Sequence, residues 1–229
     1  MRNLIATIKS WNIENAKRLQ SNDKNNKWEI ITNRHDLSLE KVKEINPSYI
    51  FVPHWSWIIP KEIWGKYETV VFHETDLPYG RGGSPIQNLI VRGIYDTKIS
   101  ALKVDEGIDT GSIYLKKDFN ISKGRVEDIL KNGSDIIFNE MIPEIINNKI
   151  QPVPQSGNVA SFKRRKPEDG NLLNLKNPSP RQLYDYVRML DGEGYPPAYI
   201  PLEQGRMEFY DASLKQGVFK AKNIFVKNE

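Results

Sequence analysis

The sequence predicts an α/β fold: a mostly parallel sheet with helices on both faces, followed by a small C-terminal helix and β-hairpin region. Three observations carry this. Short apolar runs alternate with helical segments over the first hundred residues, the rhythm of βαβ units whose strands lie parallel. A β-branched run from Thr69 to Phe72 ends on His73 and gives way to LPYGRGGSP, a loop of the kind that follows a buried strand. After Lys149 the composition turns to proline, glycine and polar residues, and short alternating segments follow.

The elements fall in order. Leu4 to Ile8 reads as a first strand, Asn12 to Leu19 as the following helix, and Trp28 to Thr32 as a second strand. Leu39 to Ile45 is a helix stopped by Asn46-Pro47, because proline disfavours the helical region in the residue before it. Tyr49 to Val52 and Thr69 to Phe72 are the third and fourth strands. In a parallel sheet the loop after Ile8 and the loop after His73 share the carboxyl edge, where open α/β sheets place their chemistry. Ser84 then caps a helix with Pro85 at its first position. Lys103 to Lys116 reads as strand, turn, strand.

From Val126 the apolar positions 126, 129, 130, 137, 141 and 145 keep helical spacing to about Ile146. Ser179 to Leu190 is a capped helix, and Tyr199 to Leu202, Arg206 to Tyr210 and Gly217 to Val226 are short strands. The expected division is a catalytic domain over residues 1–170 and a small subdomain over 171–229. A piece that short is marginal alone. It is expected to pack on the first domain or on a partner subunit.

Composition narrows the chemistry. The absence of cysteine excludes disulfides, thiolate nucleophiles and Cys-based zinc sites. No run approaches the ~18 apolar residues of a membrane helix, and the N-terminus lacks a secretory signal. A cytoplasmic protein with no membrane partner is expected. The net charge of +4 is a modest basic excess. Its main cluster, Lys163 to Lys166, is cut short by Pro167, Glu168 and Asp169. That pattern points to a small anionic ligand or a plain solvated surface rather than to nucleic acid.

Two segments carry the functional signal. His73 with the loop behind it, taken alone, reads equally well as a strand-end histidine. The turn holding Asp105, Glu106, Gly107, Asp109 and Gly111, taken alone, reads as an ordinary hairpin turn. Together they resemble the 10-formyltetrahydrofolate-dependent formyltransferases. His73, Pro78, the glycine-arginine loop, Pro85 and Gln87 match that family's first motif. Asp105, Gly107, Asp109, Thr110 and Gly111 match its second, with Asp109 placed 36 residues beyond His73. HWSWIIPKEI (His54 to Ile63) is similar to the folate-facing loop, and FKRRKPEDGNL (Phe162 to Leu172) to a further family segment. The likeness spans Leu4 to Pro197. Val71 stands where the family has asparagine, and Glu74-Thr75 where it has Pro-Ser. The wording looks most like the nucleotide-sugar N-formyltransferases, in the branch acting on nonulosonic acid precursors.

The resemblance implies a reaction and a site. The cosubstrate is 10-formyltetrahydrofolate, and the expected acceptor is the amine of a nucleotide-linked sugar, a UDP-linked 4-amino-4,6-dideoxy sugar. His73 is the acid–base group and Asp109 orients it. With Val71 unable to donate, Asn88, ahead of Gln87, is the expected donor to the oxyanion. Trp57, Ile59, Arg81, Gly82, Asp105 and Asp109 are expected to hold the folate. Ser10, Trp11, Asn12, Gly83 and Gln87 are expected on the acceptor side, the first three as a loop before a helix N-terminus, with Trp11 reading equally well as core cover. No metal and no nucleic acid are implied, and a homodimer is compatible. The alternatives are a methionyl-tRNA formyltransferase, a non-catalytic folate- or nucleotide-binding relative, and a metallohydrolase built on His54, His73 and Asp109.

Overall fold

Leu4, Ile5 and Ala6 are all fully buried, so the strand that carries them, β1 (Arg2–Ala6), lies inside a sheet and is covered on both faces. Its neighbours are β2 (Lys27–Ile31) and β3 (Tyr49–Val52), both parallel to it. β4 (Thr69–His73) adds parallel to β3, and β6 (Asp96–Lys103) adds antiparallel to β4. With β7 (Ile113–Asn120) the six-stranded order is β2-β1-β3-β4-β6-β7. The mostly parallel α/β sheet expected from the sequence is present. Two further strands were not foreseen: β5 (Tyr79–Gly82) and β8 (Ala160–Phe162) pair with each other outside this sheet.

Side-chain alternation divides the core between the two faces. Leu4 and Ala6 of β1 and Ile50 and Val52 of β3 pack with Val42 and Ile45 of α2 (Leu39–Ile45) and Ile63 of α3 (Lys61–Trp64). Phe51 points the other way and stacks with Phe72, ring centroids 6.4 Å apart. The crossover carrying α1 (Ser10–Asn22) runs from β1 outward to β2, and the later ones run towards β4. Right-handed crossovers in opposite directions put their helices on opposite faces. The reversal lies between β1 and β3, and that switch point is where such sheets open a crevice at their carboxyl edge.

The computed structural model describes residues 1–227. The chain groups into two units, each drawn from three stretches of sequence. Met1–Arg81, Lys98–Phe119 and Lys131–Ser161 form the first, which holds nearly all of the large sheet. Gly82–Thr97, Asn120–Leu130 and the chain from Phe162 onward form the second. The long helix expected from Val126 is α5 (Val126–Ile136), a π-helical turn over Ile137–Met141, and α6 (Ile142–Asn148) with Pro143 in its first turn.

In the second unit, α4 (Pro85–Ile90) and α7 (Pro180–Arg188) accompany a three-stranded antiparallel sheet. Its strands are β9 (Ala198–Leu202), β10 (Gly205–Lys215) and β11 (Val218–Lys227), with β10 in the middle. Ser179 caps α7 through a reciprocal bond with Gln182, as its sequence suggests. Arg188 is fully buried and pairs with Asp185 at 2.7 Å, and Tyr95 donates to the other oxygen of the same carboxylate. Among the described residues no helix is long and apolar enough to cross a membrane.

Candidate active site

His73 ends β4 and is nearly buried, at 7% exposure. Its Nε2 lies 2.8 Å from Gly80 O. A carbonyl oxygen only accepts, so the ring proton sits on Nε2. That leaves Nδ1 as the working nitrogen, and it faces Asp109 Oδ2 at 3.6 Å. Thr75 Oγ1 also donates to Gly80 O, while Ser100 Oγ donates to Thr75 O at 2.7 Å. These bonds pin the 74–80 loop and with it the histidine tautomer.

Asp109 stands on a turn that its own sequence shapes. Asp105 Oδ1 accepts from Gly107 N at 3.0 Å and from Thr110 Oγ1 at 2.6 Å, so the Asp105 side chain builds the turn. Asp109 itself is left-handed, with φ 54°. A non-glycine residue held there costs about 1–3 kcal/mol and marks a segment fixed by its surroundings. Gly111 admits no side chain, since a Cβ would lie 1.7 Å from Lys103 O. Gln155, which the sequence reading missed, ties the turn down. Its Nε2 donates to Asp109 O and Gly111 O, each at 2.8 Å, and its Oε1 accepts from Arg81 Nε and Nη2. Arg81 is thereby engaged in holding the turn.

A second buried group adjoins the first. His54 follows β3 with φ 50°, and its Nε2 lies 2.9 Å from Oε1 of Glu74, the residue after His73. Burial pushes the Glu74 carboxyl up, but its attraction to the His54 and His73 rings outweighs this and holds it below its ordinary value. Asn12 Nδ2 reaches His54 Nδ1 at 2.8 Å and Thr7 Oγ1 at 3.1 Å, and Thr7 Oγ1 donates to Pro53 O at 2.8 Å. His54, His73 and Asp109 do not form a metal-holding group, and no other three His, Asp or Glu side chains among the described residues do so.

Several expected ligand-side residues have structural tasks instead. Asn12 is fully buried and spent on Thr7 and His54. Trp11 is buried at 7% exposure beneath Lys9 and Lys131, and Ser10 is exposed without acting as a cap. Ile59 belongs to the core with Ile63 and Val52, whereas its neighbour Ile58 is 94% exposed. Trp57 is half-buried, edge-on to Trp55 at 5.1 Å and beneath Arg34. Val71 packs with Leu77, Leu102 and Ile113 as strand core.

In the second unit, a Cβ on Gly82 would lie 2.4 Å from Phe162 O, and one on Gly83 2.6 Å from Arg164 Cβ. Their glycines are required by this close chain approach. Both amide hydrogens of Asn88 are committed, to Gly83 O and Lys163 O at 2.9 Å each, and its oxygen accepts from Arg92 Nη1 at 3.0 Å. Gln87 donates to Met189 O at 3.3 Å. Asn88, the expected oxyanion donor, thus has its amide hydrogens engaged in bracing the loop. Ser84 accepts from Arg165 N and makes no cap bond to α4.

Comparison with known proteins bears on the whole chain. A family model described as formyl transferase matches residues 12–144. One described as the C-terminal domain of methionyl-tRNA formyltransferase matches residues 167–225. The methionyl-tRNA formyltransferase of Thermodesulfovibrio yellowstonii is 30% identical over 205 residues, covering 84% of this chain and 65% of its own length. Other curated relatives are spanned over about half their length, 45% in the enzyme of Rickettsia typhi. A structure titled methionyl-tRNA formyltransferase from Clostridium thermocellum is 51% identical with a TM-score of 0.95, covering 100% of both chains. A 4-N formyltransferase from Francisella tularensis shares the fold, with a TM-score of 0.69 over 100% of this chain and 97% of its own, at only 15% identity. These likenesses overturn the expected nucleotide-sugar branch and, with it, the expected absence of a nucleic-acid partner. The segment expected as a small C-terminal subdomain is itself matched, over residues 167–225. The chain belongs to the formyl transferase family, which draws its formyl group from 10-formyltetrahydrofolate.

Proposed function

We propose that the chain transfers the formyl group of 10-formyltetrahydrofolate to the amine of methionyl-tRNA. The observation that carries the chemistry is His73, its Nε2 proton fixed on Gly80 O and its Nδ1 turned to Asp109. An attacking ammonium must first lose a proton. Nδ1 is the ring atom left to accept it, and Asp109 is the countercharge for the imidazolium that results. The folate supplies the formyl group when bound.

The residues present fit a flat, partly apolar heterocycle. Ile58 and Ile108 are 94% and 75% exposed on the two loops that flank the histidine, an unusual exposure for isoleucine. Lys61 pairs with Glu106 and so ties the first loop to the second. Trp57, the 105–111 turn and Asp109 are the groups assigned to the folate; Arg81 acts through Gln155. The acceptor assignment rests on the 51% identity to the Clostridium thermocellum protein and on the match over residues 167–225. The β9–β11 sheet and α7 are the elements assigned to RNA, and the phosphate contacts are expected to weaken with salt.

The test incubates the protein with 10-formyltetrahydrofolate and methionyl-tRNA, then hydrolyses the ester and reads formylmethionine by mass. Absence of product from folded, folate-binding protein removes the acceptor assignment. Absence of folate binding at millimolar ligand removes the reaction.

A further inference from the structure

His54 and Glu74 form a buried pair beside His73 that the formyl-transfer reading leaves without a task. We propose that Glu74, anchored by His54, is a positioning residue: a second fixed carboxylate that, with Asp109, holds the imidazolium of His73 after it takes the acceptor's proton. The proposal rests on the reading of His73 as the base for an attacking amine.

The placement follows from the sheet. Val52 of β3 pairs with Val71 of β4, and His54 and His73 each stand two residues beyond that pair. Parallel neighbours lie about 4.8 Å apart, so the two rings leave adjacent strand ends, with Glu74 following the second. The polar asparagine of the family motif is Val71 here, and Val71 is engaged in core packing.

The direction of the hydrogen bonds fixes what His54 offers. Pro53 O can only accept, so the Thr7 hydroxyl donates to it and receives Asn12 Nδ2 on a lone pair. The other amide hydrogen of Asn12 then points to His54 Nδ1. With Nδ1 accepting, the ring proton is on Nε2, the atom 2.9 Å from Glu74 Oε1. A backbone carbonyl at one end thus sets a protonated nitrogen beside a buried carboxylate at the other. Glu74 is 6% exposed, and an unpaired charge at that depth would be costly.

The groups facing this centre come from every side. Asp109 approaches His73 from the turn after β6 and Gly80 O from β5, while Glu74 follows it in the chain. His54 faces Glu74 from beyond β3, and Thr7 and Asn12, both uncharged, close the side towards β1 and α1. In the reaction the amine nitrogen forms its bond to the formyl carbon and gives up two protons. The released nitrogen keeps the electron pair of the broken bond and takes one proton back, and the other goes to solvent. A base that holds one proton at a time is sufficient, provided its cation is held in place.

The test follows the Glu74 carboxyl in free, 13C-labelled protein by NMR. Wild-type Glu74 is expected to titrate below its ordinary value of 4.5 despite burial. His54→Leu and His73→Gln are each expected to raise that midpoint by about one pH unit or more. His54→Gln, which keeps an amide donor where Nε2 lies, should recover part of the difference. If Glu74 titrates in His73→Gln as in wild type, the carboxylate serves His54 alone and the proposal is wrong. In the transfer assay Glu74→Gln is expected to lower kcat by at least about 10-fold, with folate affinity unchanged and the pH–rate profile displaced. A superimposable profile also overturns it. The titration uses no acceptor, so a mistaken acceptor leaves that result readable, and His73→Gln keeps Glu74 in place should Glu74→Gln fail to fold.

Discussion

Gln155 Nε2 donates to Asp109 O at 2.8 Å, so a glutamine 46 residues further along the chain holds the turn on which the carboxylate stands. Gln155→Leu deletes this bond, its twin to Gly111 O and the acceptor for Arg81 together. Displacement of a catalytic group by 1 Å can cost about 10²-fold in rate. A kcat reduction of about 10-fold or more is expected, with a stability loss of about 1–3 kcal/mol from the stranded carbonyls. Unchanged kcat in steady-state assays would show that the turn holds itself.

His73→Ala and Asp109→Ala are each expected to lower turnover by at least ~10²-fold, the lower range for a positioned acid–base group. Folate affinity, read by calorimetry with a 5-formyl analogue, should change much less in the histidine variant. Near-native turnover of His73→Ala with a verified acceptor would remove the mechanism.

Asn88→Ala separates a brace from an oxyanion donor. Gly83 O and Lys163 O lose their partners, and a loss of about 1–3 kcal/mol in denaturant unfolding is expected. The folded variant should keep kcat within about 3-fold, far short of the ~10²-fold that removal of an oxyanion donor costs. A selective fall in kcat with intact stability would restore the donor role.

Asp23 gives the acid dependence a definite sign. Its carboxylate accepts from Asn25 N, Asn26 N, Asn26 Nδ2 and Trp28 Nε1, at 2.9 to 3.1 Å. Burial pushes the carboxyl up, the four bonds outweigh it, and the folded value lies below 3.8. The stabilisation is therefore complete above the unfolded value and is lost as pH falls from about 3.8 through the folded midpoint. Melting temperatures from pH 6 to 2 should fall less steeply in Asp23→Asn than in wild type. Parallel curves would refute the assignment.

The legible parts of the chain were those whose signal is local. The strands ending at Val52 and His73 are apolar β-branched runs, and α2 is bounded by Ser38 and by Asn46-Pro47. His73 and Asp109 could be read because a motif surrounds each. β5 and β8 escaped because they pair backbone with backbone across a glycine-rich segment that has no apolar alternation. Gln155 escaped for a related reason: its bonds to Asp109 and Gly111 end on main-chain oxygens, which no sequence pattern records. Glu74 was visible only as a departure from Pro-Ser. Its meaning lies in His54, twenty residues away on the next strand. Trp11 and Asn12 lie where a polar loop before a helix reads as an anion site or as core cover alike, and only burial shows that their side chains are covered.

The strand order has a consequence for how the protein is made. Of the sheet's strands β1 leaves the ribosome before the others, yet it lies inside the sheet, with β2 docking on one edge and β3 on the other before β4 extends the row. The sheet thus grows outward from its oldest member through contacts close in sequence, the kind that close quickly. The reactive cluster is recruited along the same route, Thr7 and Asn12 first, then His54, then His73 with Glu74. Asp109 arrives only when β6 lays its antiparallel edge on β4 and the following turn is formed. A nascent chain stalled before that point carries a nearly complete parallel sheet, a bare edge at β4 and a histidine with no partner carboxylate on that turn, so catalytic competence comes late to a scaffold that is already built.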